Sequence, residues 1–252
     1  MLQIMKLTTY VLNLLKDKER KEYMQYVLSD YPNLDIQYVN AINGKNLSLD
    51  EILNQFDNNK AYKRYGRECD LGEIGCSLSH RLAFDLLMNS ESNYALILED
   101  DIVIGDGFSS VLEKLLPLID IDAPCVILLS GGVSYYKKRY YNTLCLGVVY
   151  MGDYALSYLI NKAAAKLILD DKKAYIFADD WDYIRNRGVN VLVILPHLVD
   201  QRRDGSFVSN VWQDNHHIVK VKLSLIRLCN YILSRIIDKI LKRMGNYENK
   251  TL

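Results

Sequence analysis

From residue 7 to about residue 196 the chain alternates short apolar runs with longer segments of helical spacing. Leu7-Thr-Thr-Tyr-Val-Leu-Asn-Leu14 clusters β-branched and aromatic residues and reads as a strand. Lys16 to Leu28 is charged, with Tyr23, Tyr26 and Val27 as its apolar side, and predicts a helix that Pro32 ends. Ile36–Val39 predicts a second strand, closed by the turn pair Asn43-Gly44. Strand, helix and strand at this spacing predict a βαβ unit with a parallel pair. Residues 47–67 break the pattern. They are polar and irregular, with a weak helix at Leu49–Phe56 and the basic-aromatic cluster Tyr62-Lys-Arg-Tyr-Gly-Arg67. Such a segment is either a loop over a site or a solvated excursion.

Helical spacing resumes at Ile74, Leu78, Leu82 and Leu86, after glycines at 72 and 75 that permit close backbone approach. The amides at the start of this helix could face an anion. Tyr94–Leu98 follows as a strand buried on both faces and runs into Glu99, Asp100 and Asp101. Gly105 and Gly107 turn the chain into a helix at Phe108–Ile119, and Pro124–Leu129 is another buried strand. Ser134–Tyr141, with four tyrosines and three basic residues, is either a sugar-stacking loop or an exposed hairpin strand. Leu144–Met151 predicts a strand, and Asp153–Ile160 leads into a helix at Asn161–Asp170 with Asn161 as its cap. Tyr175–Asp182 sets a second acid cluster, Asp179 and Asp180, beside Trp181. Val189–Leu195 is the last clear strand; Pro196-His197 and a polar loop at Asp200–Asn210 follow. The pattern predicts one α/β domain over residues 1–212, a mostly parallel central sheet flanked by helices.

Residues 213–252 differ in character. Between Ile218 and Met244, Leu225, Leu228, Ile232, Ile236, Ile240 and Leu241 recur near helical spacing, and seven Lys or Arg accompany one acid, Asp238. A basic amphipathic helix of this kind suits an anionic membrane surface. It suggests a cytoplasmic protein, peripheral on the cytoplasmic face of the inner membrane. The competing reading is a helix packed on the domain or on a second subunit.

Composition narrows the chemistry. Lys plus Arg and Asp plus Glu each number 31, so no basic excess points to nucleic acid. The five cysteines are odd in number and lack the two-residue spacing of zinc or redox motifs, which suggests a reducing compartment. Met1–Tyr10 carries one Lys and no long apolar run, so no signal peptide is expected. No stretch reaches the roughly 18 uninterrupted apolar residues of a membrane span. Three adjacent carboxylates repel one another, and a hard divalent cation would relieve them at a strand end where open α/β sheets bind ligands. Arg20, just after the first strand, is either a phosphate or base contact or a solvated helix charge.

Four elements then stand in order: Asn13-Leu14 through Arg20; Leu71-Gly-Glu-Ile-Gly-Cys-Ser-Leu-Ser-His80; Glu99-Asp100-Asp101; and Ala178-Asp-Asp-Trp181 followed by Pro196. On these residues the chain resembles glycosyltransferase family 25, the lipooligosaccharide galactosyltransferases of bacteria and their collagen-modifying relatives. The resemblance implies a GT-A type fold and inverting transfer of a hexose, usually galactose from UDP-galactose, to a sugar hydroxyl. A lipooligosaccharide or other glycolipid oligosaccharide is the implied acceptor. The Asp-x-Asp motif appears as Glu99-x-Asp101, placing Mn²⁺ or Mg²⁺ first on Asp101, with Glu99 beside it and His197 as a third ligand. Asn13, Arg20, Glu73, His80, Glu99 and Asp100 are the implied donor-side residues. An inverting displacement needs a carboxylate base on the acceptor side; Asp180 is the first choice and Asp179 the second, with Trp181 as a sugar platform. Either aspartate could instead cap a helix starting at Trp181. Two other functions are open. A nucleotidyltransferase would need a Gly-rich loop after the first strand, where Leu14–Arg20 has no glycine. A non-catalytic sugar-binding or adhesion module would be favoured by loss of the acid triplet, which is intact.

Overall fold

The computed structural model describes residues 6–207 and 225–249. The expected domain boundary at 212/213, Ser209 and Asn210 of the polar loop, and the stretch from Ile218 to Ser224 lie outside the described residues.

Strand β1 (Leu7–Asn13) is buried along its whole length. Its side chains alternate between two core layers: Leu7 and Val11 enter one, Tyr10 and Leu12 the other. Helix α1 (Lys18–Leu28) lays Met24 and Leu28 on the first layer. It leads to β2 (Leu34–Asn40), parallel to β1 as the spacing predicts. The irregular segment that follows holds two helices. A capping box between Ser48 and Glu51 starts α2 (Leu49–Gln55). Asp57 caps α3 (Asn58–Tyr65), which Gly66 ends in the left-handed conformation. Ala61 is the buried residue of α3, so its sequence shows almost no helical period.

Helix α4 (Leu71–Met88) starts against the turn at Asn43–Gly44. The two backbones touch through glycines: a Cβ on Gly75 would meet Ile42 O at 2.5 Å and Gly44 N at 2.6 Å. Backbone on both sides cannot yield as a flexible side chain would. Gly75→Ala is therefore expected to lower stability by about 1–3 kcal/mol in denaturant unfolding. Ala83, Phe84 and Leu87 of α4 pack on the second layer, opposite α1. The helix delivers β3 (Tyr94–Glu99) to the free side of β1, again parallel. The chain thus leaves β1 over one face of the sheet and returns beside it over the other. This opens a crevice at the carboxyl ends of β1, β2 and β3.

The remaining elements are β4 (Ile102–Ile104), α5 (Phe108–Leu115), β5 (Cys125–Leu128), β6 (Val133–Tyr141), β7 (Leu144–Gly152), β8 (Ser157–Asn161), α6 (Lys162–Leu169), α7 (Trp181–Asn186), β9 (Asn190–Leu195), β10 (Val199–Gln201), α8 (Leu225–Arg243) and β11 (Tyr247–Glu248). The main sheet runs β11-β6-β7-β9-β5-β8-β3-β1-β2. Its helices lie on both faces, as an α/β domain requires, but the expectation of a mostly parallel sheet is corrected. Among the described strands of this sheet, β1–β2, β1–β3 and β5–β9 pair in parallel, and the other pairings are antiparallel. Two features cause this. The Tyr-rich Ser134–Tyr141 is a hairpin strand, turned at Asn142 and Thr143 directly into β7. And β8, hidden in the run that leads into α6, inserts antiparallel between β3 and β5. Asn161 caps α6 as expected, accepting from Ala164 N. A separate ribbon pairs β4 with β10 and brings Gln201 beside the acid triplet.

Helix α8 buries Asp238 and Leu241, and Lys242 bonds the Asp238 carboxylate. Ile232, Leu233, Ile236 and Ile240 stand exposed on it, as does Met244 just past its end, with Arg235, Lys239, Lys242 and Arg243 also exposed. After it, β11 pairs with the start of β6. Among the described residues no helix is long and apolar enough to cross a membrane.

Candidate active site

The crevice is a cleft of about 750 Å³, counting its part open to solvent. Leu12, Leu14, Ala41–Gly44, Gly72, Cys76, Ser79, His80, Glu99, Asp100, Asp101 and Gln201 line it, together with Arg20. That volume suits a nucleotide-sized ligand. Three of the four sequence elements singled out above converge here, carried by the ends of β1 and β3 and the first turns of α4.

The three acids of the triplet have separate environments. Asp100 is fully engaged: Arg20 Nη1 donates to its Oδ1 at 2.7 Å, and Asn13 Nδ2 to its Oδ2 at 2.7 Å. It holds Arg20 and Asn13 in place. Arg20 also comes within 3.3 Å of Asp101 Oδ2, which accepts from Gln201 Nε2 at 3.1 Å. Asp101 Oδ1 is buried without a hydrogen-bond partner. Burial and then the Glu99 charge push the Asp101 carboxyl up to about 6. Glu99 is half-buried, with Oε1 3.4 Å from His80 Nε2. A buried carboxylate with an orphaned oxygen, raised by a second carboxylate, fits a hard divalent cation. Asp101 and Glu99 are therefore suited to the metal that the family resemblance implies.

His197 does not belong to this group. It is buried near Gly131, its Nδ1 2.8 Å from Glu248 Oε1, and it fastens β11 to the end of β9. Its expected role as a third ligand is corrected on that ground. Glu73 is also corrected: its carboxylate closes the capping box of α4 on Asp70 N and takes Arg67, outside the cleft. Trp181 is 1% exposed, stacks edge-on against Tyr158 and donates Nε1–H to Tyr154 O. A ring so enclosed offers no face to a sugar.

The second acid cluster divides in the same way. Asp180 occupies the cap position of α7, but its side chain does not cap. Arg64 grips it through Nε at 2.8 Å and Nη2 at 2.6 Å, and Tyr65 OH donates to it at 2.7 Å. Burial alone would raise this carboxyl; the Arg64 bonds hold it below the ordinary range. A carboxylate so occupied is a poor proton acceptor, so Asp180 is corrected from first-choice base to anchor of α3. Tyr65 completes the anchor by stacking on Phe177 at 3.8 Å and accepting from Phe177 N. Removing Arg64 would strand a buried charge. Arg64→Ala is expected to cost about 2–4 kcal/mol at pH 7. Because the Asp180 carboxyl is lowered, that difference should shrink as pH falls through its folded value, which unfolding curves at pH 7 and at acid pH would reveal.

Asp179 is partly exposed, and burial pushes its carboxyl up to about 7, with Asp180, Glu99 and Asp153 adding to the rise. It shares an electrostatic neighbourhood with Glu99 and Cys76. Sequence reasoning missed Gln201 as a partner of Asp101, and Arg64 and Tyr65 as partners of Asp180. A basic-aromatic cluster was visible, but nothing in the spacing gave its target more than a hundred residues on.

The profile of Glycosyltransferase family 25 (LPS biosynthesis protein) matches residues 6–153, more than half of the chain. The chain belongs to that family. A Haemophilus influenzae relative is 27% identical over 129 residues, 51% of this chain and 44% of the relative. An Aedes aegypti glycosyltransferase 25 family member is 28% identical over 177 residues, 65% of this chain and 28% of its own. The human procollagen galactosyltransferase 2 is 30% identical over 116 residues, 44% of this chain and 18% of its own. The matched stretches thus span less than half of each of these relatives. Likeness to solved structures is low: an inositol-1-phosphate CTP transferase from T. maritima superposes with a TM-score of 0.42 at 13% identity, over 75% of this chain and 85% of that one. A likeness at that level carries no functional argument.

Proposed function

We propose that the chain is a cation-dependent, inverting glycosyltransferase of GT-A type that moves a hexose, with galactose first among candidates, from a UDP-sugar to a surface-glycan acceptor. The observation that carries this reading is the division of labour among the cleft acids within a family 25 chain. Asp100 holds Arg20 and Asn13, Asp101 keeps an oxygen without a hydrogen-bond partner beside the Glu99 carboxylate, and Asp179 stands apart with its proton poised near neutrality. A divalent cation, Mn²⁺ or Mg²⁺, bound through Asp101 and Glu99 would offset charge on the donor's diphosphate and on the departing UDP. Arg20, aimed by Asp100, adds a fixed positive charge on the same side. The acceptor hydroxyl attacks the anomeric carbon as its bond to the diphosphate oxygen breaks. The hydroxyl proton passes to Asp179, and configuration inverts because attack and departure take opposite faces. The test is UDP release from a panel of UDP-sugars with Mn²⁺ or Mg²⁺, then linkage analysis of the product. No release from any donor would remove the transferase reading.

The exposed apolar strip of α8 between basic side chains supports a membrane-surface acceptor, a glycolipid oligosaccharide at an anionic leaflet. Each Lys or Arg near such a surface contributes about 1 kcal/mol. Sedimentation with vesicles should show binding to anionic but not to neutral lipid, weakened by Ile236→Asp. Equal binding to both lipids, or to neither, would rule this surface out.

A further inference from the structure

Cys76 and His80 lie one turn apart on α4, and Glu99 ends β3 beside them. One ligand atom from each, the Cys76 thiol sulfur, a His80 ring nitrogen and a Glu99 carboxylate oxygen, lies within 4.8 Å of the other two. The atom of His80 that faces Glu99 is Nε2. It is buried, it has no hydrogen-bond partner, and its 3.4 Å approach to Glu99 Oε1 lacks hydrogen-bond geometry. His80 is 2% exposed, so bulk solvent does not reach this nitrogen. An unsatisfied imidazole nitrogen aimed at a carboxylate and a thiol calls for an explanation that the transferase chemistry does not give.

We propose that Cys76, His80 and Glu99 form a site for a thiophilic divalent cation of the zinc class, chemically distinct from the hard-cation position on Asp101. The donor set is sulfur, nitrogen and oxygen, which suits zinc and disfavours magnesium and manganese. Three protein ligands leave a fourth position open toward the cleft, as in sites that keep a water or an exogenous ligand. The second shell is already built. His80 Nδ1 meets the buried Tyr158 hydroxyl at 2.7 Å, which fixes the ring and leaves Nε2 for the metal when Nδ1 carries the proton. On binding, the Cys76 S–H bond breaks, its proton leaves to solvent and a sulfur–metal bond forms. Tetrahedral ligand atoms stand about 3.5 Å apart; His80 Nε2 and Glu99 Oε1 are already at 3.4 Å, and the other separations, within 4.8 Å, have about 1 Å or less to close. Rotation of Cys76 and Glu99 supplies this while Tyr158 holds His80.

Glu99 is shared with the cation position proposed for the donor. A zinc-class ion would withdraw it and lie across the cleft, making zinc an inhibitor of transfer. That consequence rests on the proposed transferase reading; binding of the ion does not.

The probe is Co²⁺ added to the reduced full chain, then displaced with Zn²⁺. One equivalent of Co²⁺ is expected to give tetrahedral ligand-field bands and a near-ultraviolet thiolate-to-cobalt charge-transfer band, both lost on adding Zn²⁺. Cys76→Ser should abolish the charge-transfer band, whereas Cys229→Ser, at an exposed position, should keep it. Chelator competition should show Zn²⁺ affinity falling at least about tenfold in Cys76→Ser and in Glu99→Gln. Should Cys76→Ser fail to fold by circular dichroism, Glu99→Gln at the half-buried edge gives the same affinity readout. Bound Co²⁺ without the charge-transfer band, a band that follows Cys229, or wild-type zinc affinity in the folded variants would overturn the site. A chain inactive toward every UDP-sugar that still shows the Cys76-dependent band leaves the site standing and removes only the inhibitory role.

Discussion

Asp179→Asn is expected to lower transfer by about 10²–10⁴-fold while donor binding persists, the range that loss of a general base produces. Among the described residues no Lys or Arg pairs with this side chain, whereas Arg20 serves Asp100 and Asp101, and Arg64 serves Asp180. The Asp179 carboxyl is pushed up to about 7, chiefly by burial. A base of that strength accepts a hydroxyl proton near neutral pH. Wild-type transfer should therefore rise with pH and level off above about 7, and any residual activity of the variant should lack that limb. Stability should move the opposite way. The folded state holds this proton more tightly than the unfolded chain, whose Asp titrates near 4, so folding is favoured at low pH and weakened as pH rises from about 4 to about 7. Asn removes the penalty. At pH 8 the variant should be more stable than wild type by about 1–2 kcal/mol, allowing for the carboxylate's contact with solvent, and below pH 4 the difference should vanish. Full transfer in Asp179→Asn with full loss in Asp180→Asn, both folded, would return the base to Asp180.

Asp101→Ala should abolish cation-dependent UDP release, a fall of about 10³-fold or more if the cation supplies several kcal/mol to the transition state. Arg20 reaches only the Oδ2 oxygen of Asp101; the orphaned Oδ1 and the elevated carboxyl mark a group with room for a further positive charge. The comparison variant is Asp100→Asn. It would loosen Arg20 and Asn13, and should weaken donor binding without changing the cation concentration that gives half-maximal activity. Donor turnover by Asp101→Ala at the wild-type level, with cation present, would end the assignment of the metal to this residue.

The parts of this protein that were legible in its sequence are those where one residue type meets one local need. β3, β5 and β9 are apolar nearly throughout because both faces are covered, and β1 clusters β-branched and aromatic residues; such runs are visible without knowing the partners. Asn161 before a helical run can only be a cap or a loop, and it caps. Gly75 announced a close approach, and Gly44 provides it. What escaped was whatever depends on distant partners. Asp179 and Asp180 are adjacent and identical in type, yet one is gripped by Arg64 and the other is not. Trp181 beside two acids suggested a platform, but tertiary packing turned it into the core. β8 passed unseen because it runs into α6 without an intervening turn. His197 next to a strand-ending Pro pointed to a metal only through the resemblance, and its partner Glu248 lies 51 residues further on.

The hairpin strand β6 has an exposed flank. β11 pairs only with Val133 and Ser134, and no described strand bonds the outer side of residues 137–141. A long open strand of this kind invites pairing with another molecule. Lys137, Lys138 and Arg139 lie along that flank, the first two exposed. Their repulsion toward a second copy makes the basic-aromatic strand a guard against edge-to-edge aggregation, and keeps the β11–β6 seam for the chain's own C-terminal residues.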